Sequence, residues 1–164
     1  IMTDRVRSNL WRIDHSGANH RPLHSGFKNS YSPRWSPDNE RIAFISNNSG
    51  STQIHMHWFD SGETTVISQL QESPSSLSWS PDGKYLSLTL YQDGNAEIYI
   101  LRLRDQTLTR MTNQFAIDTE SSWSPKGNKI LFTSGRSGSP QIYELDLRKL
   151  NPKAKHIQLQ KRPD

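Results

Sequence analysis

Three tryptophans stand 44 residues apart, and each opens the same short motif. The motif reads WSPDN from Trp35, WSPDG from Trp79 and WSPKG from Trp123. Self-similarity at a fixed period of this length is typical of repeat architectures, in which each repeat is one supersecondary unit. The three copies align without a gap, which predicts structurally equivalent units.

The match extends well beyond the motif. Counting forward from each tryptophan, equivalent positions hold residues of one chemical type, namely Ile42, Leu86 and Ile130; Phe44, Leu88 and Phe132; Gly50, Gly94 and Gly138; Gln53, Glu97 and Gln141; Ile54, Ile98 and Ile142. The same register reaches back to Leu10. The chain therefore opens inside a fourth copy, of which only the second half is present.

Each copy predicts four short β-strands. The first ends at the tryptophan, and the S-P-x-G/N segment after it is a turn, because Pro presets φ and Gly or Asn accepts positive φ. The second strand (RIAFIS, YLSLTL, KILFTS) is rich in β-formers and leads through a Gly turn to a third strand (QIHMHWF, EIYILRL, QIYELDL). A fourth strand follows in two copies (ETTVISQL, TLTRMTN), and LWRID and HRPLH are the last two strands of the partial copy.

Four antiparallel strands per repeat of 40 to 50 residues are typical of a propeller blade. We therefore expect an all-β β-propeller fragment of about three and a half blades: residues 1–30 as a partial blade, 31–74 and 75–118 as two blades, and 119–160 as a blade with a basic tail. Blades pack face to face, so Trp35, Trp79 and Trp123 are predicted to lie in the core between them.

Composition excludes several classes of function. The chain has no cysteine, which rules out disulfide and thiolate chemistry. No apolar run approaches the roughly 18 residues of a membrane helix, so membrane insertion is not expected. The net charge of +4 arises largely from the C-terminal residues. Because no aromatic residues alternate with those charges, we interpret them as a solvated tail and expect no nucleic-acid binding.

The motifs WSPDGKYLSL and SSWSPKGNKILFTSGRSGSPQIYEL are similar to the WD-like propeller repeat of the TolB family. Residues 9–90 resemble equally the propeller of prolyl-oligopeptidase-type serine peptidases. The resemblance covers most of residues 9–147, with Asn39 replacing the turn Gly and Lys126 replacing the turn Asp. TolB-type propellers have six blades, so this chain is expected to be part of a longer protein, a homodimer that closes the propeller, an open stack, or a truncated or designed chain.

Catalytic and metal-binding motifs are weak. The segment from Gly135 to Ser139 is not a nucleophile elbow, because it aligns with the Gly turns of the other copies and joins strand to strand. His55 and His57 share a strand face but have no third ligand at a suggestive spacing, and His15, His20 and His24 are interpreted as surface residues. Asp93 and Asp118 stand outside any calcium ligand ladder. We therefore expect no enzyme activity, no cofactor and no metal.

What remains is a binding surface. In a propeller, the loops between second and third strands and the loops between blades emerge on one side, here at residues 46–51, 90–95, 134–139, 26–31, 70–75 and 114–119. These loops differ between copies while the strands agree, and loops on a rigid scaffold commonly bind partners. The candidate partner-binding residues are Phe27, Lys28, Glu72, Asp93, Phe115, Asp118 and Arg136.

Two functions follow from the two resemblances. Likeness to TolB implies a non-enzymatic, periplasmic, protein-binding scaffold of the Tol–Pal envelope system, with an envelope lipoprotein or Tol components as partners. Likeness to the peptidases implies a propeller that restricts access to a catalytic domain outside this chain. A G-x-S-x-G strand–turn–helix after residue 164 would distinguish the second from the first.

Overall fold

A computed structural model of the chain describes residues 7–24, 29–92, 94–149 and 156–157. The protein is all-β and consists of a half blade followed by three blades. The half blade is an antiparallel pair of strands, β1 (Leu10–Arg12) and β2 (Arg21–His24). Its strands take the register of the third and fourth strands of a complete blade, as the 44-residue repeat predicts.

The three blades follow one another along the chain. The first blade contains β3 (Ser30–Trp35), β4 (Arg41–Ser46), β5 (Gln53–Trp58) and β6 (Thr64–Val66). The second contains β7 (Ser75–Trp79), β8 (Tyr85–Gln92), β9 (Asn95–Arg102) and β10 (Thr107–Arg110). The third contains β11 (Asp118–Trp123), β12 (Lys129–Ser134) and β13 (Gln141–Asp146), and ends in a 3-10 turn, Leu147–Lys149.

All neighbouring strands within a blade are antiparallel, and the order in each sheet follows the order in the chain. The short strand β14 (His156–Ile157) pairs with the outer edge of β10 and makes the second sheet five-stranded. In the part of the chain that the structure describes, no helix is long and apolar enough to cross a membrane.

The S-P-x-G/N segments form the predicted turns. Asn39, Gly83 and Gly127 occupy the same left-handed position, with φ of 61°, 67° and 68°. In the first turn the Ser36 hydroxyl donates to Asp38 and accepts the backbone N–H of Arg41, at 3.0 Å. These bonds explain why Ser and Asp recur in the motif, since their side chains satisfy the backbone of a tight hairpin.

The first strand of every blade contains a β-bulge that the repeat pattern does not predict. A register shift falls between Tyr31 and Arg34, between Ser75 and Ser78, and between Thr119 and Ser122. The residue at the shift has positive φ each time, 53° at Ser32, 52° at Ser76 and 56° at Glu120. Such bulges increase local twist and redirect side chains.

The blades pack face to face and bury two hydrophobic clusters. The larger lies between the first and second blades, which we call the first junction, and includes Ile45, Ile54, Trp79, Leu86 and Leu88. The smaller lies between the half blade and the first blade and contains Leu10, Ile42 and Phe44. We call the interface between the second and third blades the second junction.

The repeated tryptophans occupy these junctions, with one exception. The indole N–H of Trp79 donates to the Arg34 carbonyl at 3.0 Å, and that of Trp123 donates to the Ser78 carbonyl at 3.3 Å, in each case to the residue 45 positions earlier. Trp35 was expected in the core, but it is 58% exposed and stacks on Phe59 at 4.8 Å. The described half blade supplies only two outer strands, which leave this indole uncovered.

The far face of the third blade is open to solvent. Ile142 is 67% exposed and Leu131 is 45% exposed. Ile54 and Ile98 hold the position of Ile142 in the first and second blades, and both are fully buried by the blade that follows. Position within the stack, and not residue type, therefore determines the exposure of this face.

Candidate functional site

Loops from two parts of each repeat meet on one side of the stack. In the first blade the Asn47 side-chain carbonyl accepts the backbone N–H of Asn29 at 2.9 Å, and in the third blade the Gly135 N–H donates to the Ile117 carbonyl. Residues just before the first strand of a blade thus contact the loop between its second and third strands. We call this side the loop rim, comprising residues 47–52, 67–74, 94, 111–117 and 135–140.

Three of the predicted partner-binding residues, Phe27, Lys28 and Asp93, lie outside the described residues. Among the other four, Glu72 is exposed on the loop that leads into the second blade. Phe115 lies on the loop that leads into the third blade, and its side chain is completely exposed, with a relative accessibility of 107%. These two therefore lie on the loop rim and face solvent.

Asp118 lies at the start of β11 but is completely buried, so the expectation that it faces a partner is corrected. Its Oδ2 accepts a hydrogen bond from the Arg136 guanidinium at 2.8 Å, while Oδ1 has no hydrogen-bond partner among the described residues. Burial of a carboxylate is costly unless a cation compensates, and Arg136 provides that cation. Asp118 therefore ties the two loops of the third blade together.

Arg136 is held on three sides. Besides binding Asp118, its guanidinium lies over the rings of Phe132 and Tyr143, at 5.1 and 4.6 Å from their centroids, and its Nε donates to the Ser134 hydroxyl at 2.9 Å. Its side chain is 28% exposed. Packing of a guanidinium on aromatic faces restricts its motion, so Arg136 presents a fixed but mostly covered cation at the loop rim.

The loop that carries Phe115 is pinned at several points. The Asn95 side chain donates to the carbonyls of Gln114 at 2.6 Å and Ala116 at 2.7 Å, directly before and after Phe115. The buried Glu97 carboxylate accepts the Gln114 N–H at 2.8 Å. The exposed ring therefore stands on a loop whose backbone is fixed, which lowers the entropic cost of using it as an anchor.

Glu97 and its equivalent Gln53 hold the loop rim in place, although the sequence pattern did not mark either as a candidate functional residue. The Gln53 side chain accepts the Leu70 N–H and donates to the Leu70 carbonyl, both at 2.8 Å. Glu97 accepts hydrogen bonds from Thr112 and Arg110 as well as Gln114. The signal was visible, because Gln or Glu recurs 18 residues after each tryptophan.

The histidine pair on β5 belongs to the packing between the half blade and the first blade. Both rings are buried; His57 Nδ1 lies 2.8 Å from the Thr64 hydroxyl, and His55 stacks on Phe44 at 5.4 Å. Over residues 7–24, 29–92 and 94–149, no group of three or more His, Cys, Asp or Glu side chains is placed to hold a metal ion. The Gly135–Gly138 segment is a hairpin turn, closed by a hydrogen bond of 2.9 Å from the Gly138 N–H to the Gly135 carbonyl.

The fold and the loop rim define a class, the β-propeller, in which a rigid stack of blades presents variable loops on one side. Within that class, a family model of the TolB β-propeller domain matches residues 2–160. The chain therefore belongs to the TolB β-propeller domain family.

Solved structures agree with this membership. TolB from Acinetobacter baumannii is 34% identical, with a TM-score of 0.76 over 92% of this chain. The chain spans 37% of the length of that TolB. An oligogalacturonate lyase from Vibrio parahaemolyticus has a TM-score of 0.74 at 19% identity, covering 93% of this chain and 44% of its own length. A Mycobacterium tuberculosis puromycin-hydrolyzing peptidase has a TM-score of 0.64 at 14% identity, covering 93% and 24%. At such low identities the last two share the fold alone.

Proposed function

We propose that this chain is a non-enzymatic, protein-binding propeller segment that serves the Tol–Pal system in the periplasm. The observation that supports this most directly is the 34% identity to Acinetobacter TolB across nearly the whole chain. The same blade architecture also occurs in a lyase and a peptidase. Fold alone does not determine function, so the proposal rests on sequence identity and on the loop rim.

Phe115 is the residue we assign as the principal contact. A large aromatic side chain that is fully exposed, on a loop fixed by Asn95 and Glu97, has the properties of an interface anchor. Glu72 lies on the equivalent loop one blade earlier, and Arg136 adds a partly exposed cation on the loop between the second and third strands of the third blade. Phe27, Lys28 and Asp93, which lie outside the described residues, remain candidates from the sequence.

Calorimetric titration with the purified soluble domain of a Tol–Pal lipoprotein tests the proposal. We expect saturable binding, and Phe115→Ala is expected to weaken it by about 2 kcal/mol, the loss typical of an aromatic anchor. Trp11→Ala is the matched control, because Trp11 is 55% exposed but lies on the half blade. Absence of binding, or equal binding by both variants, would contradict the proposal.

The alternative function is access restriction in a prolyl-oligopeptidase-type peptidase. Its support is limited to the shared fold with the Mycobacterium peptidase. The reading frame beyond residue 164 discriminates between the two: a G-x-S-x-G strand–turn–helix encoded there would replace the Tol–Pal proposal.

We also propose that a second copy of the chain covers the two open ends of the stack. Trp35 at one end and Leu131 and Ile142 at the other are exposed where blades normally pack. Light scattering on the purified chain would show a dimer if the two ends associate, whereas a monodisperse monomer would rule this out.

A further inference from the structure

Three large apolar side chains are exposed where the second junction meets the loop rim. Phe115 is completely exposed, and Tyr91 and Ile117 are each 58% exposed. The Ser121 hydroxyl donates to that of Ser87 across this junction at 2.8 Å, which fixes β8 beside β11. Tyr91 on β8 and Ile117 directly before β11 each lie four residues further towards the loop rim. We call these three residues, Tyr91, Phe115 and Ile117, the rim patch.

The equivalent positions at the first junction are polar. Asn47, Gln71 and Ser73 stand there, 44 residues before the members of the rim patch. Both sets are carried by the same strands and loops of the repeat, so the fold does not require apolar residues at these positions. Adjacent exposed apolar side chains commonly mark a surface that binds a partner.

The inside of the second junction makes the contrast sharper. On β8, Ser87 and Thr89 alternate with the residues of the other face and are buried against the third blade, and Tyr91 continues that row to the loop rim. This face is therefore polar where it is buried and apolar where it reaches solvent. Packing of the blades does not explain that order, whereas contact with a molecule outside the chain does.

The charges beside the rim patch are compensated within the chain. Arg110 binds the Glu97 carboxylate at 3.1 Å, and Arg136 binds the Asp118 carboxylate at 2.8 Å. Both carboxylates are completely buried. A charged segment or an anionic lipid surface is attracted by uncompensated cations, which these two ion pairs do not offer. The centre of a protein interface, in contrast, is poor in charge and rich in aromatic residues.

The support under the rim patch is specific to the second blade. The Asn95 side chain donates to the carbonyls on both sides of Phe115. One blade earlier the equivalent residue is Ser51, whose hydroxyl accepts the Gln53 amide at 2.9 Å. The loop that carries an exposed aromatic ring is thus held by a residue that its polar counterpart lacks, which lowers the entropic cost of binding through that ring.

We propose that the rim patch binds an apolar, uncharged surface of the protein partner, in a contact to which charge contributes little. Phe115 is the central anchor, and Tyr91 and Ile117 flank it and exclude water from it. This inference rests on the proposed function, because it specifies the chemistry that the partner brings to the loop rim.

Calorimetric titration with the soluble lipoprotein domain at low and at high salt tests the inference. We expect the Kd to change by less than about threefold, because salt screens charges but not apolar contacts. Tyr91→Ala and Ile117→Ala should each weaken binding about fivefold. Gln71→Ala and Ser73→Ala, at exposed positions equivalent to Phe115 and Ile117, are the matched controls and should leave the Kd unchanged.

The outcomes separate this inference from the proposed function. Absence of binding by the unchanged chain would contradict both. Binding that weakens about tenfold or more between low and high salt would overturn the inference alone. Binding that the double variant Tyr91→Ala/Ile117→Ala retains in full, with its fold verified by circular dichroism, would do the same.

Two further measurements test other occupants of the rim patch. We expect no co-sedimentation with vesicles of phosphatidylethanolamine and phosphatidylglycerol, and the same mass by light scattering for the double variant as for the unchanged chain. Vesicle binding that the double variant loses would assign the rim patch to a lipid surface, and a lower mass would assign it to a second copy. Either result would overturn the inference.

Discussion

The two complete blade junctions share one backbone plan but differ in what they bury. At the first junction Ala43, Ile45 and Leu77 belong to a large apolar cluster. Their equivalents at the second junction are Ser87, Thr89 and Ser121, which are also buried. The Ser121 hydroxyl donates to that of Ser87 at 2.8 Å, and the Trp123 indole N–H donates to Ser87 at 3.0 Å.

This difference separates what specifies the fold from what stabilises it. The tryptophan hydrogen bond to a carbonyl 45 residues earlier is present at both junctions, so the register of blade on blade does not depend on an apolar interface. Hydrophobic burial supplies most of the free energy of packing, and it is concentrated at the first junction. We therefore expect the third blade to separate from the stack before the first two separate from each other.

The largest test compares equivalent buried residues at the two junctions. Leu86 and Ile130 are both fully buried, 44 residues apart. Leu86→Ala is expected to lower the free energy of unfolding by about 4 kcal/mol, and Ile130→Ala by about 2 kcal/mol, because the tighter apolar surroundings of Leu86 leave a larger cavity cost. Urea denaturation of both variants measures the difference. Equal losses would show that the two junctions are energetically alike.

Exchange of residue types between the junctions is the second test. Ile45→Thr places a hydroxyl in the apolar cluster and should cost about 2 kcal/mol. Thr89→Val removes a hydroxyl that has no hydrogen-bond partner among the described residues, and should stabilise the protein by about 1 kcal/mol. Thermal unfolding of the two variants should move in opposite directions. A loss of stability in Thr89→Val would mean that the hydroxyl is satisfied by water.

The third test substitutes the repeated tryptophans, and we expect the loss of stability to be larger where the tryptophan is more buried. Trp79 is 9% exposed and Trp35 is 58% exposed. Substitution by Phe keeps an aromatic ring but removes the indole N–H, so Trp79→Phe and Trp123→Phe should each lose about 1 kcal/mol. Trp35→Phe should change stability little, because its indole N–H donates to no carbonyl in the described structure. Chemical denaturation followed by circular dichroism ranks the three; a large effect of Trp35→Phe would show that the open end is covered in solution.

Much of this architecture could be predicted from the repeat. The second strand is correct to the residue at Arg41–Ser46 and Lys129–Ser134, because alternating β-formers between two turns leave little freedom. The positive φ of Asn39, Gly83 and Gly127 follows from turn chemistry. These features depend on local sequence, and the three aligned copies of the 44-residue repeat each show the same local pattern.

The features that escaped prediction depend on contacts between distant residues. Asp118 was placed on the surface because it lies in a loop position, but its burial requires Arg136, 18 residues later, to fold back over Phe132 and Tyr143. Trp35 stands in the same sequence motif as Trp79 and Trp123. It differs from them because only the half blade, and not a complete blade, packs on its side of the sheet. The bulge at Glu120 requires a non-glycine residue in a left-handed conformation, which its residue type does not favour.

The turns of the three blades should differ in how their contribution to stability depends on pH. We expect this difference in the free energy of unfolding to be the smallest of the four. The hydrogen bond from Ser36 is the main reason that the pKa of Asp38 falls to about 2, helped by the Glu40 N–H and by Arg41 against a smaller effect of burial. Burial is the largest single influence on the pKa of Asp82 in the second turn and raises it, but the hydrogen bonds from Ser80 and the Lys84 N–H, together with the Lys84 charge, outweigh burial, so this pKa is also lowered. In the third turn Lys126 stands at this position, and Asn128 accepts the Ser124 hydroxyl at 3.1 Å with an amide that does not titrate.

A carboxyl whose pKa is lower in the folded state stabilises the protein above its unfolded pKa of about 4, and this contribution is lost as pH falls towards 2. Asp38→Asn should therefore destabilise the protein at pH 7, by no more than a few tenths of a kcal/mol since the Asp38 side chain is 38% exposed and solvent screens its charge. The difference in the free energy of unfolding between this variant and the unchanged chain should disappear between about pH 4 and 2. Lys126→Ala is the control, with an effect that stays constant over the same range. If Asp38→Asn is still less stable than the unchanged chain at pH 2, the hydrogen bonds of the turn do not depend on the charge of Asp38. The first and third turns would then be equivalent in energy as well as in shape.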